Sequence, residues 1–209
     1  MENKENENIF SFSYSQVIIL KDRILKVSIS EAERKGFRFT MGELAKQLGM
    51  STKTLYGYYP SKEEILNEMI DLAIDELKMK EEEILHDSTL NLLEKLQKCL
   101  VLIPADFQFA QLQYLEELQR YYPKQWETLD QFIHEQWTGI FSLIDEGIAA
   151  NQIRPFNKEI FIEVYVGGLY RLMEHASKNR NMISIQDTMQ EMVDILMLGI
   201  LKENVHKEN

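Results

Sequence analysis

Apolar residues recur at intervals of three and four along most of the chain, which is the spacing of one face of an α-helix. In the first predicted helix, over about 15–35, this spacing joins Val17, Leu20, Ile24 and Val27. Further helices are predicted at about 88–102, 105–121, 124–150, 158–179 and 185–204. The sequence offers no dense alternation of apolar and polar residues of the kind that predicts strands. The pattern therefore predicts an all-α protein.

After the first helix, the pattern changes to short elements with clear start and stop signals. Thr40 and Glu43 form a capping box, in which each side chain accepts from the backbone amide of the other. Gly49 can end that helix because glycine adopts left-handed dihedral angles freely, and Ser51 can cap a third, very short helix. A second capping box at Ser61 opens a fourth helix. Two short helices behind an apolar first helix describe a helix-turn-helix, whose second helix enters the DNA major groove.

The charge distribution supports this interpretation, although the chain as a whole is acidic. The 209 residues carry a formal net charge of −11. Residues 16–62 nevertheless contain nine basic and four acidic side chains, so the acidic excess lies in the rest of the chain. A basic N-terminal segment on an acidic body is typical of a module that binds a polyanion such as DNA.

The remaining candidate chemistry points away from an enzyme. The single cysteine, Cys99, excludes a disulfide framework and a cysteine-based metal centre within one chain, and it fits a reduced, cytoplasmic setting. The longest apolar runs are far shorter than a membrane span. Two Glu-x-x-His spacings, Glu83 with His86 and Glu203 with His206, leave a di-iron enzyme as an alternative. An apolar stripe frames neither pair, so we expect no catalysis, no metal and no cofactor.

A composite motif across the N-terminal quarter of the chain resembles the signature of TetR-family transcriptional regulators. It consists of Ile24-Leu25, Gly36-Phe37, Thr40, Glu43-Leu44-Ala45, Leu48-Gly49-Met50-Ser51, Thr54-Leu55-Tyr56 and Tyr59-Pro60-Ser61-Lys62-Glu63-Glu64-Ile65-Leu66. Glu31 and Ala32 depart from the family pattern, because larger apolar residues are common at their positions. The resemblance implies a three-helix helix-turn-helix DNA-binding domain over 15–66 and a larger helical ligand-binding and dimerisation domain over 67–209. Residues 1–14 are low in hydrophobicity and rich in Asn and Glu, which predicts a disordered tail.

The resemblance also implies roles for residues of the N-terminal domain. A small core of Leu44, Ala45, Leu48, Leu55 and Tyr59 is expected to fix the two short helices. The residues implied to contact DNA are Thr40, Thr52, Lys53, Thr54, Tyr56, Tyr58 and Lys62. For Tyr56 and Tyr59 a plain core position is the alternative, and for Lys53 and Lys62 a merely solvated one. A homodimer would read a palindromic operator in double-stranded DNA.

The C-terminal body follows the family only in outline. The resemblance implies a dimer formed by the last two helices, and the sequence allows it through an apolar stripe on them: Phe161, Val164, Gly168, Leu172, Met189, Val193, Leu196 and Ile200. Packing within one chain is the alternative, because an apolar stripe does not show whether it packs against the same chain or against a second copy. The predicted ligand-binding residues are the aromatics Phe107, Tyr114, Trp137, Phe141 and Tyr165, for which a core position is the alternative.

Taken together, the resemblance implies a sequence-specific transcriptional regulator that acts as a homodimeric repressor. An unknown small-molecule effector would bind the body and release the protein from DNA. The alternative is a similar dimer whose body binds a protein partner instead of a small molecule.

Overall fold

The computed structural model describes residues 2–107, 112–179 and 184–202, without the side chains of 2–15, 107, 113, 177 and 179. The α-helices within these ranges are α1 (Glu2–Lys35), α2 (Met41–Leu48), α3 (Thr52–Tyr58), α4 (Lys62–His86), α5 (Leu92–Leu100), α6 (Leu112–Tyr121), α7 (Pro123–Glu135), α8 (Thr138–Ala149), α9 (Lys158–Asn179) and α10 (Ile185–Ile200). An isolated antiparallel β-bridge joins Ile153 and Leu201. The predicted all-α fold is confirmed. The search of these residues for a helix that could span a membrane finds none.

The single helix predicted over 124–150 is wrong, because the structure has two helices there. The backbone of Gln136 leaves helical geometry, with φ −95° and ψ 61°. The indole N–H of Trp137 donates to the carbonyl oxygen of Ile133 at 2.8 Å, and the backbone N–H of Trp137 turns to Glu135 instead. The side chain thus takes the carbonyl that would continue the helix, so α7 ends and α8 begins at Thr138.

Two other predicted helices begin later than the periodicity suggests. The helix predicted from about 88 starts at Leu92, because Asn91 and Glu94 form a capping box there. The helix predicted from about 105 opens with a 3-10 turn over Ala105–Phe107, and α6 follows from Leu112. Apolar spacing does not mark the start of α5, because it continues through Leu90 in the turn before that helix.

The chain divides into two compact units, 1–71 and 72–209, which we call the N-terminal unit and the body. Helix α1 extends back to Glu2, over the segment for which the sequence predicts a frayed tail. The tail and the predicted domain boundaries stay predictions.

The N-terminal unit is organised around the apolar faces of its short helices. The predicted small core is confirmed, because Leu44, Ala45, Leu48, Leu55 and Tyr59 are all buried. Further buried side chains come from α1, α4 and the link between α1 and α2: Ile24, Leu25, Phe37, Phe39, Ile65, Leu66 and Met69. Burial of this kind contributes about 25 cal/mol per Å² of apolar surface, so this core holds α2 and α3 in place.

The body is a bundle in which α5 packs against α8, α6 against α7 and α9, and α10 against α5 and α9. Its buried side chains include Leu96, Leu100, Leu112, Leu118, Ile144, Met173 and Val193. A short clip joins the segment after α8 to the end of α10. In this clip Arg154 N–H donates to the carbonyl of Ile200 and Lys202 N–H to that of Gln152, each at 3.0 Å. The clip fixes how α10 ends.

Candidate DNA-binding surface

The turn between α2 and α3 has the tight geometry that the motif requires. Gly49 has φ 68°, in the left-handed region, and its N–H donates to the carbonyls of Ala45 and Lys46. A residue with a Cβ atom would pay roughly 1–2 kcal/mol for this backbone, which explains the glycine. Ser51 then accepts at its hydroxyl oxygen from the N–H of Thr54 at 3.0 Å and fixes the start of α3.

Helix α3 is anchored on one side and open on the other. Leu55 is fully buried and holds the helix against the core. The predicted contact residues Thr52, Lys53 and Thr54 are exposed. Tyr56 is 49 % exposed, so it is not a core residue, whereas Tyr58 is half-buried. The exposed face therefore offers hydroxyl groups and an ammonium group, which can donate to phosphate oxygens or to base edges.

Thr40 lies exposed at the start of α2, where the capping box predicted from the sequence is confirmed. Its hydroxyl oxygen accepts from the N–H of Glu43 at 3.2 Å. The Glu43 carboxylate accepts in return from the Thr40 N–H at 2.7 Å and from its hydroxyl at 3.0 Å. The N-terminus of a helix attracts anions through its free N–H groups and its dipole, so Thr40 occupies a suitable position for a phosphate contact.

Lys62, at the start of α4, is held by the link between α1 and α2. Its ammonium group donates to the carbonyl oxygen of Phe37 and lies 4.3 Å from the ring centroid of Phe39. The side chain is therefore half-buried and not simply solvated. An ammonium group has three N–H donors, so the bond to Phe37 does not exhaust its capacity to bind phosphate.

A buried ionic cluster at the end of α1 was missed by the sequence reasoning. Glu31 is 4 % exposed, and its carboxylate accepts from Arg34 at 2.7 Å and lies 2.7 Å from the Lys35 ammonium. Burial favours a higher pKa for Glu31, but hydrogen bonds from Lys35, Gln47 and Arg34 outweigh it and lower the pKa to about 2. One feature of the sequence pointed to this cluster: the acidic Glu31 stands at a position where larger apolar residues are common in the family.

The predicted ligand-binding aromatics do not form one group. Trp137 and Tyr165 are buried together, with ring centroids 5.1 Å apart, and the Tyr165 hydroxyl donates to the carbonyl of Leu100 at 2.6 Å. Phe141 instead faces the Lys158 ammonium, 5.0 Å from its ring centroid. Of the other two, Tyr114 is half-buried, and the side chain of Phe107 lies outside the described residues.

A buried acidic group in the body also escaped the sequence analysis. Among the described residues, Glu81 Oε1 is buried with no protein hydrogen-bond partner. A Cβ atom added at Gly139 would lie 2.7 Å from this oxygen, so α8 packs directly against it. Burial and the neighbouring Glu82 raise the pKa of Glu81, and burial and Glu81 raise the pKa of Cys99 to about 12. The surroundings of Glu81 therefore disfavour its charged form relative to an exposed carboxyl group.

The predicted dimer stripe faces largely into the body. Phe161, Met189, Val193 and Ile200 are buried within the chain, Gly168, Leu172 and Leu196 are half-buried, and Val164 is exposed. The large apolar side chains that these two helices expose are Ile160, Val164, Ile195 and Leu198. A groove of about 250 Å³ opens beside them, between Phe156 and the end of α10. The outward apolar face is therefore offset from the stripe that the periodicity indicates.

Of the two spacings that suggested a metal enzyme, the structure describes only the first. Glu83 and His86 are exposed near the end of α4, and the His86 Nδ1 atom lies 2.8 Å from the carbonyl oxygen of Glu82. Glu203 and His206 lie outside the described residues. A search of the described part of the chain finds no group of three or more potential metal ligands.

Comparison with known proteins finds a family and a relative of similar sequence. Residues 24–69 match the family described as bacterial regulatory proteins, tetR family. The chain is 33 % identical over 178 residues to the uncharacterized HTH-type transcriptional regulator YvaF of Bacillus subtilis, covering 85 % of this chain and 94 % of that protein.

Solved structures of other regulators share the fold at low sequence identity. A transcriptional regulator from Cytophaga hutchinsonii is 19 % identical, with a TM-score of 0.66 over 87 % of this chain and 98 % of that one. A regulator from Saccharomonospora viridis, solved in complex with choline, is 17 % identical, with a TM-score of 0.68 over 88 % and 98 %.

Proposed function

Because the chain belongs to the TetR family of bacterial transcriptional regulators, we propose that it is a cytoplasmic homodimeric repressor that a small-molecule effector releases from DNA. The resemblance found in the sequence is confirmed, and the protein is a DNA-binding regulator and not an enzyme. The outward face of α3 carries the proposal. The buried Leu55 below it and the exposed Lys53 on it are what a recognition helix requires.

The proposed contacts with DNA divide by chemistry. Thr52, Lys53 and Thr54 face the major groove and read base edges or bind phosphate, and Tyr56 and Tyr58 contact phosphate or thymine methyl groups. Thr40 and Lys62 bind phosphate from the two ends of the motif. Because phosphate contacts release counterions, affinity for the operator falls steeply with salt.

The proposed dimer forms through the outward apolar face of α9 and α10, with a second copy of the chain as the occupant. Ile195 is 71 % exposed and Leu198 is 76 % exposed, and the partly exposed Val164 lies on the neighbouring helix. Soluble monomers rarely expose apolar patches of this kind. Gly167 and Gly199 would meet no heavy atom within 4 Å at an added Cβ, so a facing helix can approach closely there.

Release requires an effector that binds the body more tightly when the protein is off DNA. Trp137 and Tyr165 are the predicted aromatics that pack against each other in the body, and the proposal places part of the effector site beside them. The regulator from Saccharomonospora viridis was solved with choline, which supports a small molecule as the effector class here. Effector and operator then oppose each other through a coupling free energy, of roughly 1–3 kcal/mol in typical cases.

Selection from a random duplex library tests the function. Purified protein at about 0.15 M salt, near physiological screening, should enrich an inverted repeat. The Lys53→Ala variant should bind the enriched sequence more weakly and tolerate more base changes. A folded, dimeric protein that enriches no sequence would refute the proposal that it reads an operator unaided.

Sedimentation analysis tests the dimer. Ile195→Glu and Leu198→Glu place charges on the proposed interface and should shift the protein to monomer. Met79→Glu is the matched control, because Met79 is an exposed apolar residue of α4, away from α9 and α10 in the chain. A dimer that both interface variants leave intact would place the interface elsewhere.

A further inference from the structure

The Lys35 ammonium lies between two carboxylates that belong to different helices. It is 2.7 Å from Glu31 Oε2 within α1 and 3.0 Å from Glu43 Oε1 at the start of α2. The other oxygen of Glu43 accepts from the backbone and the hydroxyl of Thr40. One carboxylate therefore connects Lys35 to the residue that the proposed function assigns to a DNA phosphate.

The position of Glu43 creates an electrostatic conflict. A carboxylate in the first turn stabilises α2 through the capping box and the helix dipole. Hydrogen bonds from Lys35 and Thr40 lower the pKa of Glu43, so it stays ionised at neutral pH. An ionised carboxylate that bonds to Thr40 also repels any phosphate that approaches Thr40. The cap and the phosphate contact are compatible only if a cation neutralises Glu43.

Glu31 explains why that cation stays in place. Its side chain is buried, and Lys35 and Arg34 both bind it. Removing a partner from a buried charge is costly, because the remaining charge is left uncompensated. The buried Glu31 carboxylate therefore holds the Lys35 ammonium in place, because water cannot easily replace that ammonium as its partner. A lysine on an open surface has no such constraint.

We propose that Lys35 is a positioning residue for DNA binding, which neutralises Glu43 so that the Thr40 hydroxyl can turn from Glu43 and donate to a phosphate of the operator, while the two backbone bonds of the capping box remain. The buried Glu31 holds Lys35 in that position. The inference rests on the proposed phosphate contact of Thr40. Lys35 acts through Glu43 and has no contact with DNA of its own.

Coulomb's law gives the size of the expected effect. Two unit charges about 6 Å apart in water change an equilibrium by roughly threefold, and a dimer has two such positions, so the change is about tenfold. Lys35→Met should weaken operator binding about tenfold in a fluorescence anisotropy titration. Glu43→Gln should bind as tightly as the parent protein or more tightly, because glutamine keeps the capping box without the charge.

The double variant Lys35→Met with Glu43→Gln decides the question. It should bind within about threefold of the parent protein, well short of the tenfold loss of Lys35→Met, because no charge on residue 43 remains to be neutralised. Lys35→Arg should bind like the parent protein. If the double variant stays as weak as Lys35→Met, the proposal is overturned, because Lys35 then either touches phosphate or only braces α1 against α2.

Two further variants keep the outcomes distinct. Lys80→Met is the control for the loss of one positive charge. Lys80 pairs with Glu76 at 2.6 Å in the body, so this variant should leave the affinity for the operator unchanged. Thr40→Val should weaken binding in the presence of Lys35. Normal operator binding by Thr40→Val would show that Thr40 makes no phosphate contact, and this result would refute the role proposed for Lys35. The proposal that the protein binds an operator would stand as long as the inverted repeat is enriched. Circular dichroism melting identifies any variant that has lost its fold, and Lys35→Gln then replaces Lys35→Met.

Discussion

Replacing Lys62 by methionine separates its structural contact from its proposed contact with DNA. The ammonium group donates to the carbonyl of Phe37 and lies over the ring of Phe39. A hydrogen bond from a charged donor contributes about 1.5–3 kcal/mol, and a partly exposed cation–π contact about 0.5–1 kcal/mol. Because Lys62 is half-buried, we take the low end and expect Lys62→Met to lower the free energy of unfolding by about 2 kcal/mol.

Lys53→Met is the matched comparison, because Lys53 is exposed on α3. A surface substitution of this kind changes stability by less than about 0.5 kcal/mol. Each lost phosphate contact lowers the slope of log K against log salt by about 0.9, which is about 1.8 for a dimer. We expect the Lys62 variant to lose stability and slope, and the Lys53 variant to lose affinity without stability.

Two assays are needed. Urea unfolding followed by circular dichroism gives the free energy of unfolding, and anisotropy titrations between about 50 and 200 mM salt give the slope. A Lys62→Met protein that is less stable but keeps the full salt slope would show that Lys62 only joins α4 to the preceding link. Unchanged stability would refute the energies assigned to its contacts with Phe37 and Phe39.

Three further substitutions test other parts of the structure. Gly49→Ala should lower stability by about 1 kcal/mol through backbone strain alone, since nothing lies within 4 Å of its added Cβ; thermal melting measures this. Leu55→Ala should cost about 2–5 kcal/mol in urea unfolding and abolish operator binding, because the fully buried anchor of α3 is lost. Burial raises the pKa of Glu81, so the folded state binds this proton more tightly than the unfolded state does. The parent protein should therefore lose stability relative to Glu81→Gln as the pH rises through that raised pKa. Urea unfolding at pH 4 and pH 8 checks the sign, because the effect is fully present only below the ordinary carboxyl pKa of about 4.3, and a constant difference between the two proteins would contradict it.

The helix-turn-helix could be predicted because its signals are local. The capping box of Thr40 and Glu43 involves residues three apart, and Gly49 follows its helix directly. Leu55 could be assigned to the core because a short helix has one apolar face, and that face must pack. Each of these inferences needs only neighbouring residues, and the structure confirms each of them.

The contacts of Lys62 could not be predicted, because they join distant parts of the chain. Lys62 meets the carbonyl of Phe37 twenty-five residues earlier, and a backbone carbonyl leaves no trace in a sequence. The periodicity likewise found the apolar residues of α10 without showing which of them face the body. Val193 is fully buried and Ile195 is 71 % exposed, although both are β-branched apolar residues two positions apart.

The two lysines that flank the motif serve the same physical purpose. Lys35 is fixed by Glu31 and Glu43, and Lys62 by Phe37 and Phe39, so neither side chain moves freely in the unbound protein. Ordering a long side chain at an interface costs about 0.5–1.5 kcal/mol of binding free energy. Because these two lysines are already ordered in the folded protein, that cost does not reduce the affinity for DNA. The same contacts hold the link between α1 and α2, which sets the direction of Thr40. Binding to DNA therefore begins from a surface whose charges are in place, and the charge of Glu43 is compensated before a phosphate arrives.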